Sequence, residues 1–200
     1  MQINTKIDIS EEIFDKAKAF AEASVDSSAD KYARRNQNDL EKIKQDIKTG
    51  RIGEEIVYQE LKKHYPDLTA PDYNIYDASS KSWDTDLKDS ASGIKIAVKT
   101  QDYRSDLEFG TSWVFQFNNN KNFDCDTEIF KDKDDNHYVA LVSLNIPKRT
   151  ARIRAIVKTS WLHENKMFKD MKQEYLKNNK LAVYYDDLEK FEDKLNSFHD

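Results

Sequence analysis
The hydrophobic period of this chain first changes between residues 64 and 83, and that change limits the folds open to it. From Ser10 to His64 apolar residues recur at helical steps, whereas beyond Trp83 they alternate along short segments. Ser10 to Ala23 reads as a helix with Ser10 as N-cap, Glu11 and Glu12 in the first turn, and Ile13, Ala17, Phe20 and Ala21 as its buried stripe. A second helix is expected from Ala29 to Lys48 through Tyr32, Leu40, Ile43 and Ile47. Gly50 interrupts, and a third helix covers Ile52 to His64 through Ile56, Val57, Glu60 and Leu61, with Pro66 just beyond.

Two strands are expected at residues 83–87 and 93–101, joined by a polar turn at Asp89 to Ser92. Further strands are expected at Trp113–Phe117, Tyr138–Leu144 and Arg152–Val157, with an Asn- and Asp-rich loop over residues 118–136. An amphipathic helix from His163 to Asn178, a short edge strand at Leu181–Tyr185 and a terminal helix from Asp186 to Leu195 complete the reading. The fold class is therefore α/β: a mixed sheet flanked by helices. One domain spans residues 1–200, divided into a helical extension (1–49), a core (50–160) and a C-terminal segment (161–200).

A net charge of -5 speaks against a uniformly basic nucleic-acid-binding surface, but local clustering and the acids of a metal site matter more than the total. Cys125 is the only cysteine, so no intrachain disulfide forms, and the scattered histidines lack zinc-ligand spacing. No run approaches the roughly 20 apolar residues of a membrane span, and a soluble, cytoplasmic protein is expected.

The segment Trp83-Asp84-Thr85-Asp86-Leu87, followed by Val98-Lys99-Thr100-Gln101, carries the chemistry. Strand side chains repeat every two residues, so Asp84 shares a face with Asp86, and Lys99 with Ala97 and Gln101. Carboxylates on one strand bind Mg²⁺ through oxygen, and a lysine on the next orients or deprotonates an attacking water. The simpler reading is a turn cap for the aspartates and an exposed strand position for the lysine.

This arrangement resembles the PD-(D/E)XK nuclease superfamily over residues 50–118, extending through the strands to 157. Gly50-Arg-Ile-Gly53-Glu54 looks like the first motif, Asp86 with Asp84 beside it like the aspartate motif, and Val98-Lys99-Thr100-Gln101 like the end of the lysine strand. The resemblance implies a restriction-endonuclease-like fold, Asp86, Asp84 and Glu54 as Mg²⁺ ligands (Mn²⁺ in its place), and Lys99 beside them in catalysis. One position departs from it: the second acid should stand at 97, where this chain has Ala97. Either that acid was removed, or it is naturally lacking and Glu54, Asp84 or Glu108 replaces it, or activity is lost.

Candidate DNA contacts are Gln101 at the end of the lysine strand and Arg104 beyond it, Arg34, Arg35 and Gln37 together on a helix, and Arg152 and Arg154 on one face of a strand. For each the bland reading is a solvated residue paired with an acid. The expected function is a restriction-type endonuclease cutting double-stranded DNA as a homodimer. The alternative is a nuclease-fold DNA-binding or interaction protein that has lost the chemistry.

Overall fold
The computed structural model describes residues 3–33, 37–76, 85–116, 136–177 and 180–195. Helix α1 (Glu11–Ala33) begins where Ser10 accepts the Ile13 N–H on its Oγ at 3.3 Å, as expected of an N-cap. It continues ten residues past Ala23, because Ala17, Ala21, Ser24 and Val25 keep one buried ridge intact. Helix α2 (Leu40–Lys62) starts at Asp39, whose Oδ1 accepts the Glu41 and Lys42 N–H groups at 2.9 and 3.1 Å.

The helical region thus breaks once, between Ala33 and Leu40, and not at Gly50 or between Ala23 and Ala29. Gly50 is tolerated inside α2 because it faces open space, while Ile43, Ile52, Ile56 and Leu61 carry the buried face across it. Packing of that face outweighs the roughly 1 kcal/mol that an interior glycine costs.

Among the described residues one strand precedes this helical frame and seven follow it. The main sheet has the order β1 (Ile7–Asp8), β6 (Thr150–Lys158), β5 (His137–Asn145), β3 (Lys95–Asp102), β2 (Leu87–Lys88). Only β3 and β5 are parallel, so the sheet is mixed. The crossover between them contains α3 (Tyr103–Phe109) and β4 (Ser112–Gln116). A second, antiparallel sheet has the order β4, β8 (Lys180–Tyr184), β7 (Lys169–Asp170).

The segment expected as an edge strand is therefore the centre of a sheet. Its apolar run of Leu181 to Val183 is paired on both sides by strands distant in sequence, which periodicity does not reveal. The expected helix from His163 to Asn178 is also corrected. Helix α4 (Thr159–Glu164) stops at Asn165, Lys166 adopts φ 52°, and the Met167 N–H returns to the Leu162 carbonyl at 2.9 Å. Lys169 and Asp170 then pair with β8. The terminal helix is short, α5 (Tyr185–Leu188), and continues as a 3₁₀ stretch to Lys194.

Two apolar clusters lie on opposite faces of the main sheet. Ile13, Ala17, Ile52, Ile56 and Val57 of the helices pack on Ile96, Ala140, Val142 and Ile153. On the other side Trp113, Phe115 and Val183 of the second sheet, with Leu162 and Met167, pack on Val139, Leu141, Ala155 and Val157. The change of parity along β6 comes from a bulge, for Leu141 pairs Ala155 while Val142 pairs Ile153, leaving Arg154 as the extra residue. No described helix is long and apolar enough to cross a membrane.

Candidate active site on the β2–β3 hairpin
The hairpin is closed by Asp89, whose buried carboxylate accepts the Ser92 N–H at 2.8 Å and the Ser92 hydroxyl at 2.5 Å. Gly93 takes φ 74° in the same turn, a conformation that suits a residue without Cβ. The resulting register pairs Leu87 with Ile96 and Lys88 with Lys95. Leu87 and Ile96 face the helices. Asp86 stands just before β2, and alternation along β3 puts Ala97, Lys99 and Gln101 on the face opposite Ile96.

Asp86 is exposed, and its Oδ2 accepts the Val98 N–H at 2.7 Å, capping the edge of β3 where β2 has ended. Lys99 is half-buried between the sheets, with Nζ 5.4 Å from the centre of the Phe115 ring. The carboxylate of Asp86 thus meets the backbone of β3 between Ala97 and Lys99 in sequence. Asp84 lies outside the described residues.

Glu54 reaches the sheet from the other side. Its neighbour Gly53 is pressed against Thr100, whose side chain alternates with Lys99, so Glu54 and Lys99 start from opposite faces of β3. The Glu54 carboxylate is mostly buried and pairs with Arg51 one helical turn earlier.

Arg51 also stacks on Phe20, 4.5 Å from its centre, and lies 5.5 Å from that of Tyr73. Beside them Lys16 pairs with the buried Glu55 at 2.6 Å and lies 4.0 Å over the Tyr73 ring. Burial, reinforced by the Glu55 charge, holds the Tyr73 hydroxyl well above the ordinary tyrosine range. This cluster of Lys16, Phe20, Arg51, Glu55 and Tyr73 had no periodic signal in the sequence, because its members come from α1, α2 and the loop after Leu68.

Among the expected DNA contacts, Gln101 points inward and binds backbone at both ends of its amide. Arg104 is exposed on α3, and its charge combines with that of Lys18 to oppose protonation of Lys48. Burial is the larger cause of the lowered Lys48 pKa, with Asp102 acting in the opposite sense. Gln37 lies in the connection between helices and not on one: its N–H donates to the Tyr32 carbonyl at 2.9 Å and its Oε1 accepts the Asp39 N–H at 3.2 Å. Arg34 and Arg35 lie outside the described residues.

Arg152 is exposed, with Nη1 3.4 Å from the Asn4 carbonyl. Arg154 is more enclosed: it donates to Ser143 Oγ and Asn4 Oδ1, both at 3.3 Å, and lies 5.0 Å over the Tyr185 ring. Despite the bulge, both arginines reach Asn4, Arg152 at its carbonyl and Arg154 at its side chain.

Among the described residues no three His, Cys, Asp or Glu side chains gather as a metal-binding group. What the residues define is a mixed α/β protein in which Asp86 is held at the Val98 backbone of the strand that carries Lys99. Compared with known proteins, the chain matches no family model, no curated protein and no solved structure.

Proposed function
We propose that the chain is a metal-dependent endonuclease with a restriction-endonuclease-like core, hydrolysing phosphodiester bonds of duplex DNA. The observation that carries this reading is the bond from the Val98 N–H to Asp86 Oδ2, which fixes the acid at the strand segment that carries Lys99. Its context supports the same reading: a long helix precedes the hairpin, and a crossover through α3 leads to a parallel strand.

Mg²⁺ or Mn²⁺ would be held by Asp86 together with a second carboxylate, for which Asp84 is the candidate by its sequence position. Asp86 is a candidate for one donor by its chemistry, a carboxylate whose Oδ2 already accepts the Val98 N–H. One carboxylate falls short of a complete donor set. When bound, such an ion neutralises charge developing on the phosphate and acidifies water. Lys99, half-buried beside Phe115, would orient the attacking water and the scissile phosphate by charge. Cutting both strands would suit a homodimer.

Ala97 favours a second reading: a protein that keeps the scaffold and binds DNA without cutting it. Plasmid cleavage in Mg²⁺ or Mn²⁺, measured for the native chain, Ala97→Glu and Lys99→Met, separates the two. Cutting by the native chain that is lost in Lys99→Met supports the nuclease. Cutting by Ala97→Glu alone means that the missing acid is the whole deficit. DNA binding with no cutting by any form removes the enzymatic reading.

A further inference from the structure
Gln101 is 7% exposed, yet it is a polar residue in the middle of the joint between the two sheets. Its Nε2 donates to the Gly110 carbonyl at 3.0 Å, and its Oε1 accepts the buried Ser112 N–H at 2.8 Å. Both partners belong to the turn that leads from α3 into β4. Gly110 makes that turn at φ 78°, with its own N–H returned to the Asp106 carbonyl at 2.9 Å. The Gln101 amide is therefore a strut: its stem belongs to the main sheet and both of its bonds hold the entry to the second.

A second fixed point lies one residue further on, where the Trp113 Nε1–H donates to the Val142 carbonyl at 2.8 Å. Between them these contacts set the height and rotation of β4. Two residues beyond Trp113, Phe115 is fully buried with its ring beneath the Lys99 ammonium. Lys99 stands two residues before Gln101 on the same face of β3, so strut, ring and lysine form one closed circuit of contacts.

We propose that Gln101 is a positioning residue for Lys99, acting through the 110–112 turn and β4 to hold Phe115 where it restricts the orientations of the lysine side chain. The proposal rests on the reading that places Lys99 at the reacting face. A direct DNA contact would need an amide donor or acceptor turned outward, and here each end of the amide already has a partner inside the protein.

The test uses the full chain with lysines labelled by ¹³C at Cε and the Lys99 signal assigned from Lys99→Arg. In the native protein the Phe115 ring current displaces that signal, and Phe115→Leu removes the displacement. Gln101→Met, which is similar in shape but lacks both bonds, is expected to abolish most of it while keeping a cooperative unfolding transition. Gln101→Glu keeps the acceptor for Ser112, loses the donor to Gly110, and should fall between; it decides the matter if the methionine variant does not fold. A Lys99 signal unmoved in both folded variants overturns the proposal.

Cleavage adds an independent readout, in which Gln101→Met is expected to lower kcat by about tenfold or more with KM for DNA nearly unchanged. A KM raised tenfold at unchanged kcat would instead make Gln101 a DNA contact and overturn the proposal. If the native chain does not cut at all, the nuclease reading fails, while the lysine signal still decides the positioning role.

Discussion
A Cβ atom built on Gly53 would lie 1.9 Å from Oγ1 of Thr100, so α2 and β3 meet at a point where no side chain fits between them. Gly53→Ala must therefore push the helix from the sheet, and a loss of about 2–3 kcal/mol is expected despite the better helix propensity of alanine. Gly50→Ala, three residues away in the same helix, meets nothing within 4 Å and should instead stabilise by roughly 0.5–1 kcal/mol. Denaturant titration of the two variants gives opposite signs if the contact is the cause. Adding Thr100→Ala to Gly53→Ala removes the nearest atom and should restore part of the loss, while strict additivity would count against the explanation.

Tyr73 gives the fold a characteristic alkaline response. Its hydroxyl is buried without a well-formed hydrogen bond, and burial followed by the Glu55 charge raises its pKa in the folded state. The unfolded chain loses this proton near pH 10, whereas the folded chain retains it. Stability from this group is accordingly full below that pH and declines as pH rises above it. Absorbance at 295 nm should show one tyrosine that ionises only on unfolding, and Tyr73→Phe should flatten the alkaline decline. An unchanged profile in Tyr73→Phe would assign the effect to another group.

Arg152 and Arg154 should separate in their effects. Arg154 is held by Ser143, Asn4 and the Tyr185 ring, so Arg154→Ala is expected to cost about 1 kcal/mol of stability and to leave the salt dependence of DNA binding nearly unchanged. Arg152→Ala should change stability little; if it meets phosphate, the slope of log K against log salt falls by about 1. Equal effects of the two on that slope would place both at the DNA.

On the proposed nuclease reading, replacing Lys99 by Met, or Asp86 by Asn, reduces cleavage by on the order of 10²–10⁴-fold. DNA affinity should change far less. Asp86→Asn also weakens the cap on Val98, so its thermal unfolding must be measured alongside; a loss of activity matched by a loss of folded protein would assign Asp86 to structure alone.

What was legible in the sequence followed from period and direction. Alternation along Ile94 to Gln101 placed Ala97, Lys99 and Gln101 on one face of β3, opposite the buried Ile96. The N-cap at Ser10 was equally local. Features set by distant partners were not legible. Gly50 reads as a break unless one knows that its side of α2 faces open space, and Leu181 to Val183 reads as an edge unless β4 and β7 are already in place on either side. Gln101 was assigned outward because its two partners are backbone groups of a turn, which leave no side-chain pattern to read. The burial of Glu54 beside Arg51 likewise depends on how α2 lies against the sheet.

The mixed character of the main sheet also dictates an order of assembly. Strands β5 and β6 are joined by a tight turn closed by the Arg149 N–H on the Ile146 carbonyl at 3.0 Å, so they can form as a local hairpin. The pairing of β3 with β5 is parallel and must close the whole crossover from Asp102 to His137, which makes it the slower and entropically costlier event. Lys99 and Phe115 both lie on the far side of that closure from the hairpin. The folding chain therefore completes the corner that holds Lys99 and Phe115 late, and pulse labelling during refolding should protect the amides that bond β5 to β6 before those that bond β3 to β5.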